Sequence, residues 1–329
     1  MQAPEFWQHR GIAALALSPL GGLVGLAGSI RRSLIPSTEL SVPVVCVGNV
    51  TIGGTGKTPV VAALARVLQG GGRVPHILSR GYGGTLPGPL RVDPARHTAR
   101  DVGDEPLLHA RIAPTWIGGD RVKSGLAAIG AGADILLMDD GFQNPGLAKT
   151  VSILVTDGGV GFGNGCLMPA GPLRESLSGA LARADAVVIL GEDISGAAEA
   201  IAGRCPVFEA RIVPVAGTDI AGKRVFAFAG IGRPEKFYAT LRDMGCTLAG
   251  TRDFADHHAF SSDEVVQIVD AATKADALPV TTEKDFVRLP EEARQMIRAV
   301  RIAIEWADPD APDRLLQKAL ALKKAMQNG

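Results

Sequence analysis

Short apolar runs alternate with amphipathic stretches along most of the chain, the pattern of a mostly parallel sheet covered by helices. VPVVCVGN (42–49) reads as a buried strand. Residues 59–69 then set Val60, Val61, Leu64, Val67 and Leu68 on one helical face, and Gly70 to Gly72 end that helix. VPHILSRG (74–81) and PTWIGGD (114–120) supply further strands, with a helix expected from Arg121 to Ile129. DILLMDDG (134–141) is a strand that closes on two acids, and VSILVTD (151–157) and ADAVVIL (184–190) extend the sheet. Between the last two lies GVGFGNGCLMPAGPLRE (159–175), a glycine-rich loop long enough to point to function rather than filler.

A second unit begins near Lys223. RVFAFAGIGRPEKFYATLRDMG (224–245) reads strand, glycine turn, helix, and CTLAGTRDF (246–254) is another strand. Ser261 and Glu264 form a capping box before a helix to Ala275, and LPVTTEKD (278–285) and VRIAIEW (300–306) add two strands. The expected organisation is an N-terminal apolar segment (1–35), a phosphate-loop core (36–220), a smaller α/β unit that closes over the substrate (221–300), and a C-terminal helix returning to the core (301–329).

Composition narrows the class. The 329 residues are 46% hydrophobic and 21% charged, as in an ordinary folded protein with a sizeable core. Lys plus Arg and Asp plus Glu both total 34, which gives no reason to expect nucleic-acid binding. Cys46, Cys166, Cys205 and Cys246 are too dispersed for a CxxC metal or redox pair and read as buried thiols in a reducing compartment.

One segment departs from this picture. From Gly11 to Ile30 no residue is charged; Phe6, Trp7, His9 and Arg10 precede it, and Arg31 and Arg32 follow. Its length is about that of a bilayer span, but Pro19 and five glycines weaken it as a single helix. The basic and aromatic flanks suit an element lying in a membrane interface. A helical hairpin packed on the core and a true span are the other readings.

GNVTIGGTGKTP (48–59) carries the chemistry. The standard phosphate loop is GxxxxGK[ST], and its first glycine would fall at Thr51, so the strict pattern fails by one position. Gly53, Gly54 and Gly56, with Thr55 among them, still leave backbone N–H groups free to surround phosphate oxygens. The loop also joins a buried strand to a helix start, where anions are favoured. Lys57 then reaches the outer phosphates of ATP, Thr58 offers its hydroxyl to Mg²⁺, and Pro59 is tolerated in the first turn. Asp139 and Asp140 end a strand where such enzymes hold the metal, although two adjacent acids also suit a solvated turn.

In order along the chain stand GNVTIGGTGKTP, LSRGYGG (78–84), GDEP (103–106), DDGFQN (139–144), GFGNG (161–165), PAGPLRE (169–175), FAGIGRPEKF (228–237), DHH (256–258) and TEKD (282–285). This ordered set resembles the tetraacyldisaccharide 4′-kinase family, the lipid A 4′-kinases, over residues 42 to 290. The resemblance accounts for the displaced glycine. It implies phosphate transfer from ATP to the 4′-hydroxyl of an acylated glucosamine disaccharide 1-phosphate, at the cytoplasmic face of a Gram-negative inner membrane, by an enzyme docked peripherally or by its N-terminal segment.

By match to the family motifs, Asp104 in GDEP is the expected base for the sugar hydroxyl, and His257, by the family's Asp-His order, orients or tunes it. A helix start before Pro106 is the plainer reading of Asp104-Glu105. Arg174 suits stabilisation of the moving phosphoryl charge or a hold on substrate phosphate. Arg80, Gln143 and Glu175 are further candidates for binding substrate. Asn144 departs from the histidine common at this place in the family. TEKD either closes over the nucleotide or shapes the boundary of the second unit. The competing readings are a soluble phosphate-loop kinase or ligase, and a membrane-bound nucleotide switch without catalysis.

Overall fold

The computed structural model describes residues 4–215 and 219–327. The apolar runs become strands in chain order: β1 (Val44–Gly48), β2 (Pro75–Ser79), β3 (Leu90–Arg91), β4 (Thr115–Ile117), β5 (Ile135–Asp139), β6 (Val151–Asp157), β7 (Ala186–Leu190), β8 (Val207–Pro214), β9 (Arg224–Ala229), β10 (Thr247–Asp253), β11 (Leu278–Thr282), β12 (Arg298–Val300) and β13 (Ile302–Trp306). They form two sheets. The large one has nine strands in the order β13-β8-β7-β6-β1-β5-β2-β4-β3, and the small one runs β10-β9-β11-β12.

The large sheet is parallel except at its edges, where β3 and β13 pair antiparallel. Both faces are buried, as a parallel sheet requires. Val45, Val47, Leu137 and Ile153 point to one side, where the helices Lys57–Gly70 and Ala311–Gln327 cover them. Val44, Cys46, Leu136 and Met138 point to the other, under the Arg121–Gly130 helix and the shorter Leu177–Leu181 and Ala197–Ile201 helices. Burial of Cys46 pushes its thiol up to about 12. All four cysteines are free. In register, Val47 of β1 lies opposite Asp139 of β5, so the phosphate loop leaves its strand level with the acid pair.

Two expectations require correction. VRIAIEW does not form one strand of the second unit: Val300 ends β12 in the small sheet, and Ile302–Trp306 crosses to the large sheet, antiparallel to β8. The C-terminal stretch therefore returns as a strand followed by a helix. The strand β8, which the sequence pattern does not predict, stands between β7 and this edge strand.

The N-terminal segment is one helix, Ile12–Leu34, with Pro19 inside it. Two of the glycines that argue against a helix, Gly21 and Gly25, form its contact face. A Cβ added at Gly21 would come within 2.8 Å of the Leu167 carbonyl oxygen, and one at Gly25 within 2.6 Å of Leu167 Cδ1. The helix thus docks on the 159–175 loop by its smallest residues. The opposite face leaves Ile12, Leu15, Leu23, Leu26 and Leu34 more than half exposed. Its length and mean hydropathy of 1.7 are sufficient to cross a membrane.

Candidate active site

The site lies beyond the carboxyl ends of β1 and β5, where a parallel α/β sheet opens for ligands. After β1 the chain enters a loop held from behind. Thr51 bridges Leu173, Ile52 N donates to Pro172 O at 2.9 Å, and Arg174 N donates to Val50 O at 2.7 Å. The glycine-rich 159–175 loop thus braces the phosphate loop and brings Arg174 beside it. Gly53 (φ +111°) and Gly56 (φ +83°) adopt backbone that side chains rarely take. At Gly56 a Cβ would also strike Leu190 Cδ1 at 2.4 Å. The Lys57–Gly70 helix starts at once, so Lys57, Thr58 and Pro59 form its first turn.

Asp140 collects the cations. Lys57 Nζ lies 3.4 Å from its Oδ1, and Arg174 Nη1 lies 3.3 Å from both carboxylate oxygens. Burial pushes the Asp140 carboxyl up, but Lys57 and Arg174 outweigh it and hold the group below the usual carboxylate range. Asp139 is buried, and its Oδ2 meets His109 Nε2 at 2.9 Å. Among the described residues its Oδ1 has no hydrogen-bond partner, nor does the buried hydroxyl of Thr55. An orphaned carboxylate oxygen beside a phosphate-type loop is a donor without an occupant.

Asp104 opens the Asp104–Ala110 helix, so the plainer reading of GDEP as a helix start also holds. The carboxylate does more than start a helix. It is buried, and Nδ1 of His257 lies 3.2 Å from its Oδ2. Arg288 grips the same oxygen through Nη2, with Nε at 3.0 Å, and Lys284 Nζ stands at 3.9 Å. Burial pushes the Asp104 carboxyl up; His257, Lys284 and Arg288 together outweigh it and hold the group far below its ordinary value. Asp104 is therefore ionised throughout the neutral range. His257 has φ +61°, a left-handed conformation uncommon for a non-glycine residue, and its ring meets Tyr82 edge-on at 5.9 Å.

TEKD shapes the boundary between the two sheets. Thr282 caps the short Glu283–Phe286 helix, Lys284 pairs with Glu105 at 3.3 Å, and buried Asp285 accepts from Arg288 Nη1 at 2.9 Å and from Gly230 N at 3.1 Å. Lys284 of TEKD and Arg288, which the sequence motifs do not include, complete the Asp104 environment. Arg288 lies three residues beyond Asp285, the last residue of TEKD, and that proximity is its one signal in the sequence.

The remaining candidates separate. Gln143 donates to Asn49 O at 2.8 Å and to Glu175 Oε1 at 3.1 Å, which places it against the loop entrance. Glu175, expected to face substrate, is instead buried and taken up by Arg183, by Arg32 at 3.4 Å, and by Gln143. It holds other site residues in place. Asn144 Oδ1 accepts from Gly146 N and Leu147 N, so this side chain builds a turn. Arg80 is exposed just after β2, on the same edge of the sheet, and no ion pair joins it to Asp140 among the described residues.

Fold and site together define a phosphate-loop nucleotide-binding protein. Residues 13–321 match the family described as tetraacyldisaccharide-1-P 4′-kinase. Similar proteins include the tetraacyldisaccharide 4′-kinases of Rhodospirillum centenum, 53% identical over 98% of each chain, and of Rhodospirillum rubrum, 46% identical over 97% of this chain and 98% of that one. The crystal structure of an "apo" form LpxK from Aquifex aeolicus in complex with ATP superposes with a TM-score of 0.76 at 26% identity, covering 94% of this chain and 99% of that one. The chain belongs to the tetraacyldisaccharide 4′-kinase family.

Proposed function

We propose that the residues gathered here transfer the γ-phosphate of ATP to the 4′-hydroxyl of an acylated glucosamine disaccharide 1-phosphate, with Asp104 as the base. The activity is that of the family: an ATP-dependent kinase of lipid A biosynthesis. The observation that carries the assignment of roles is the buried Asp104 carboxylate held by His257 at 3.2 Å. A sugar alcohol is a weak nucleophile, and an ionised, oriented carboxylate takes its proton as the oxygen attacks. His257 fixes the carboxylate, and Arg288 and Lys284 keep it charged.

Gly53, Gly54, Thr55 and Gly56 offer backbone amides to the phosphates, and Lys57 meets the outer ones as a point charge. Lys57 and Arg174, which share Asp140 in this structure, are the groups placed to hold charge on the moving phosphoryl. Hard oxygen donors suit Mg²⁺: the Thr58 hydroxyl, the unpartnered Asp139 Oδ1 and Asp140 would hold it. When bound, the ion neutralises phosphate charge. We assign Arg80 and Gln143 to binding the acceptor; the hydrogen bond from Gln143 to Glu175 supports a positioning role for Glu175.

The acceptor carries acyl chains, so the enzyme works at a membrane surface. The exposed apolar face of the Ile12–Leu34 helix supports docking at the cytoplasmic face of the inner membrane. A water-soluble acceptor would leave that face without a task, and a non-catalytic switch would leave the Asp104–His257 pair without one. The test is ATP-dependent labelling of an acylated disaccharide 1-phosphate by the full chain beside Lys57→Ala and Asp104→Asn. Labelling by the unaltered chain alone is the expected result. Equal labelling by Asp104→Asn would remove Asp104 as the base.

A further inference from the structure

The small sheet touches the phosphate loop through one side chain whose place in the chemistry is otherwise unassigned. Arg233 follows β9 in the GIGRPE turn and precedes the Pro234–Asp243 helix. Its Nη2 donates to Gly54 O at 2.8 Å and to Asp157 Oδ2 at 2.8 Å. Asp157 ends β6, the strand beside β1, and its carboxylate also takes Lys236. Its other oxygen accepts from Gly159 N at 3.0 Å. Two cations therefore share one carboxylate at the rim of the loop, a local surplus of positive charge. Arg233 is anchored through Nη2 alone. Its Nε and Nη1 make no hydrogen bond among the described residues, and its side chain is about one-third exposed (36%).

Two features make this an unfinished contact. A guanidinium offers five donors in a rigid fork suited to a phosphate edge, and here one nitrogen is divided between a neutral carbonyl and the Asp157 carboxylate, which Lys236 already shares. A charged hydrogen bond to a phosphate oxygen is roughly twice as strong as one to a neutral acceptor. Gly54 lies within the run of amides that surrounds phosphate, so an anion seated there arrives beside Arg233. The direction of approach is also set. The small sheet carries His257 and stands beside Arg288 and Lys284, all on Asp104, so with Asp104 as the base it faces the acceptor side of the loop, toward which the phosphate to be transferred would point.

We infer that Arg233 is a terminal-phosphate contact supplied by the small sheet. It is parked on Gly54 O and Asp157 in the structure described here and turns its free donors onto the outermost phosphate when a triphosphate occupies the loop. Asp157 and Lys236 keep the guanidinium at the rim while it exchanges partners. This inference rests on the nucleotide reading above and adds a residue to it that the loop sequence does not contain.

The test uses the full-length protein in detergent micelles, with Arg233→Ala, Arg233→Lys and Lys236→Ala beside the unaltered chain. Calorimetry measures ADP and ATP binding with magnesium. Arg233→Ala should weaken ATP by about tenfold or more while ADP stays within about twofold, because only the third phosphate meets the guanidinium. Its kcat should fall with KM for the lipid unchanged. Arg233→Lys should retain part of the ATP preference, and Lys236→Ala, which leaves Arg233 in place, most of it. An equal loss for ADP and ATP would mean that Arg233 only braces the loop, and unchanged ATP affinity and kcat would also overturn the inference. If Arg233→Ala does not fold, the ADP-to-ATP ratio of Arg233→Lys decides in the same way. Failure of the unaltered chain to bind ATP at all would instead strike the nucleotide reading itself.

Discussion

Nδ1 of His257 lies 3.2 Å from Oδ2 of Asp104, and the two residues come from different halves of the molecule. Asp104 belongs to a helix packed on the large sheet, and His257 to the turn after β10 of the small one. The Asp104–His257 pair is therefore assembled only when the two sheets are together.

Replacing Asp104 by Asn keeps its shape and removes its charge. The expected loss in kcat is about 10²- to 10⁴-fold, the range for a general base. His257→Ala should lower kcat less, through lost orientation, and should move the acid limb of the pH profile upward, since the ring is one of the groups that hold the Asp104 carboxyl low. An unaltered pH profile in His257→Ala would argue that the ring only packs against Tyr82.

Asp104→Asn should also destabilise the fold by about 3 kcal/mol, because Arg288 is buried with it. Urea midpoints measured beside the kinetics separate the two effects.

The pH dependence of stability has a definite sign. The Asp104, Asp140 and Asp157 carboxyls are buried, which pushes each up, but their cationic partners outweigh burial and hold all three low. Such groups stabilise the fold above the ordinary carboxylate value of about 4, and that contribution fades as pH falls below it toward their own lower values. Asp285 runs the other way: burial holds its carboxyl up despite Arg288, so it costs stability at neutral pH and opposes part of the trend. Urea midpoints should hold from pH 7 to 5 and drop below about pH 4. Asp104→Asn should flatten that drop.

Asp140→Ala frees Lys57 and Arg174 from their shared partner. ATP binding with magnesium should weaken by about tenfold or more, while binding without magnesium should change little or improve, as a carboxylate next to the phosphates is lost. Calorimetry with and without the ion distinguishes a metal ligand from a simple counter-charge.

The N-terminal helix invites a paired test. Leu23→Glu with Leu26→Glu alters only exposed positions, so the unfolding free energy from urea titration should move by less than about 0.5 kcal/mol while sedimentation with anionic vesicles falls. Gly21→Val forces a side chain against the Leu167 backbone and should cost about 1–3 kcal/mol by lifting the helix from its bed. Vesicle binding that survives the double change would show that the apolar face does not dock.

The buried strands were legible because each reads as a short apolar run, and β1, β5, β6 and β7 stand where those runs lie. The phosphate loop was legible despite its misplaced glycine, since three glycines and a lysine between strand and helix have few other uses. Contacts across long stretches of chain were not. Arg288 reaches Asp104, Arg233 reaches Gly54, and Arg32 reaches Glu175 through tertiary placement that no local period records. The N-terminal helix shows how a local rule fails: Gly21 and Gly25 weaken a helix in isolation, yet they admit Leu167 to its surface. Packing settles what propensity alone judged unfavourable.

The small sheet is inserted between β8 and β13, which run antiparallel side by side, with Val215 N donating to Arg301 O at 2.9 Å just past their ends. Arg233 and His257 both belong to that inserted body, so whatever seats it against the large sheet sets the contact at Gly54 and the contact at Asp104 together.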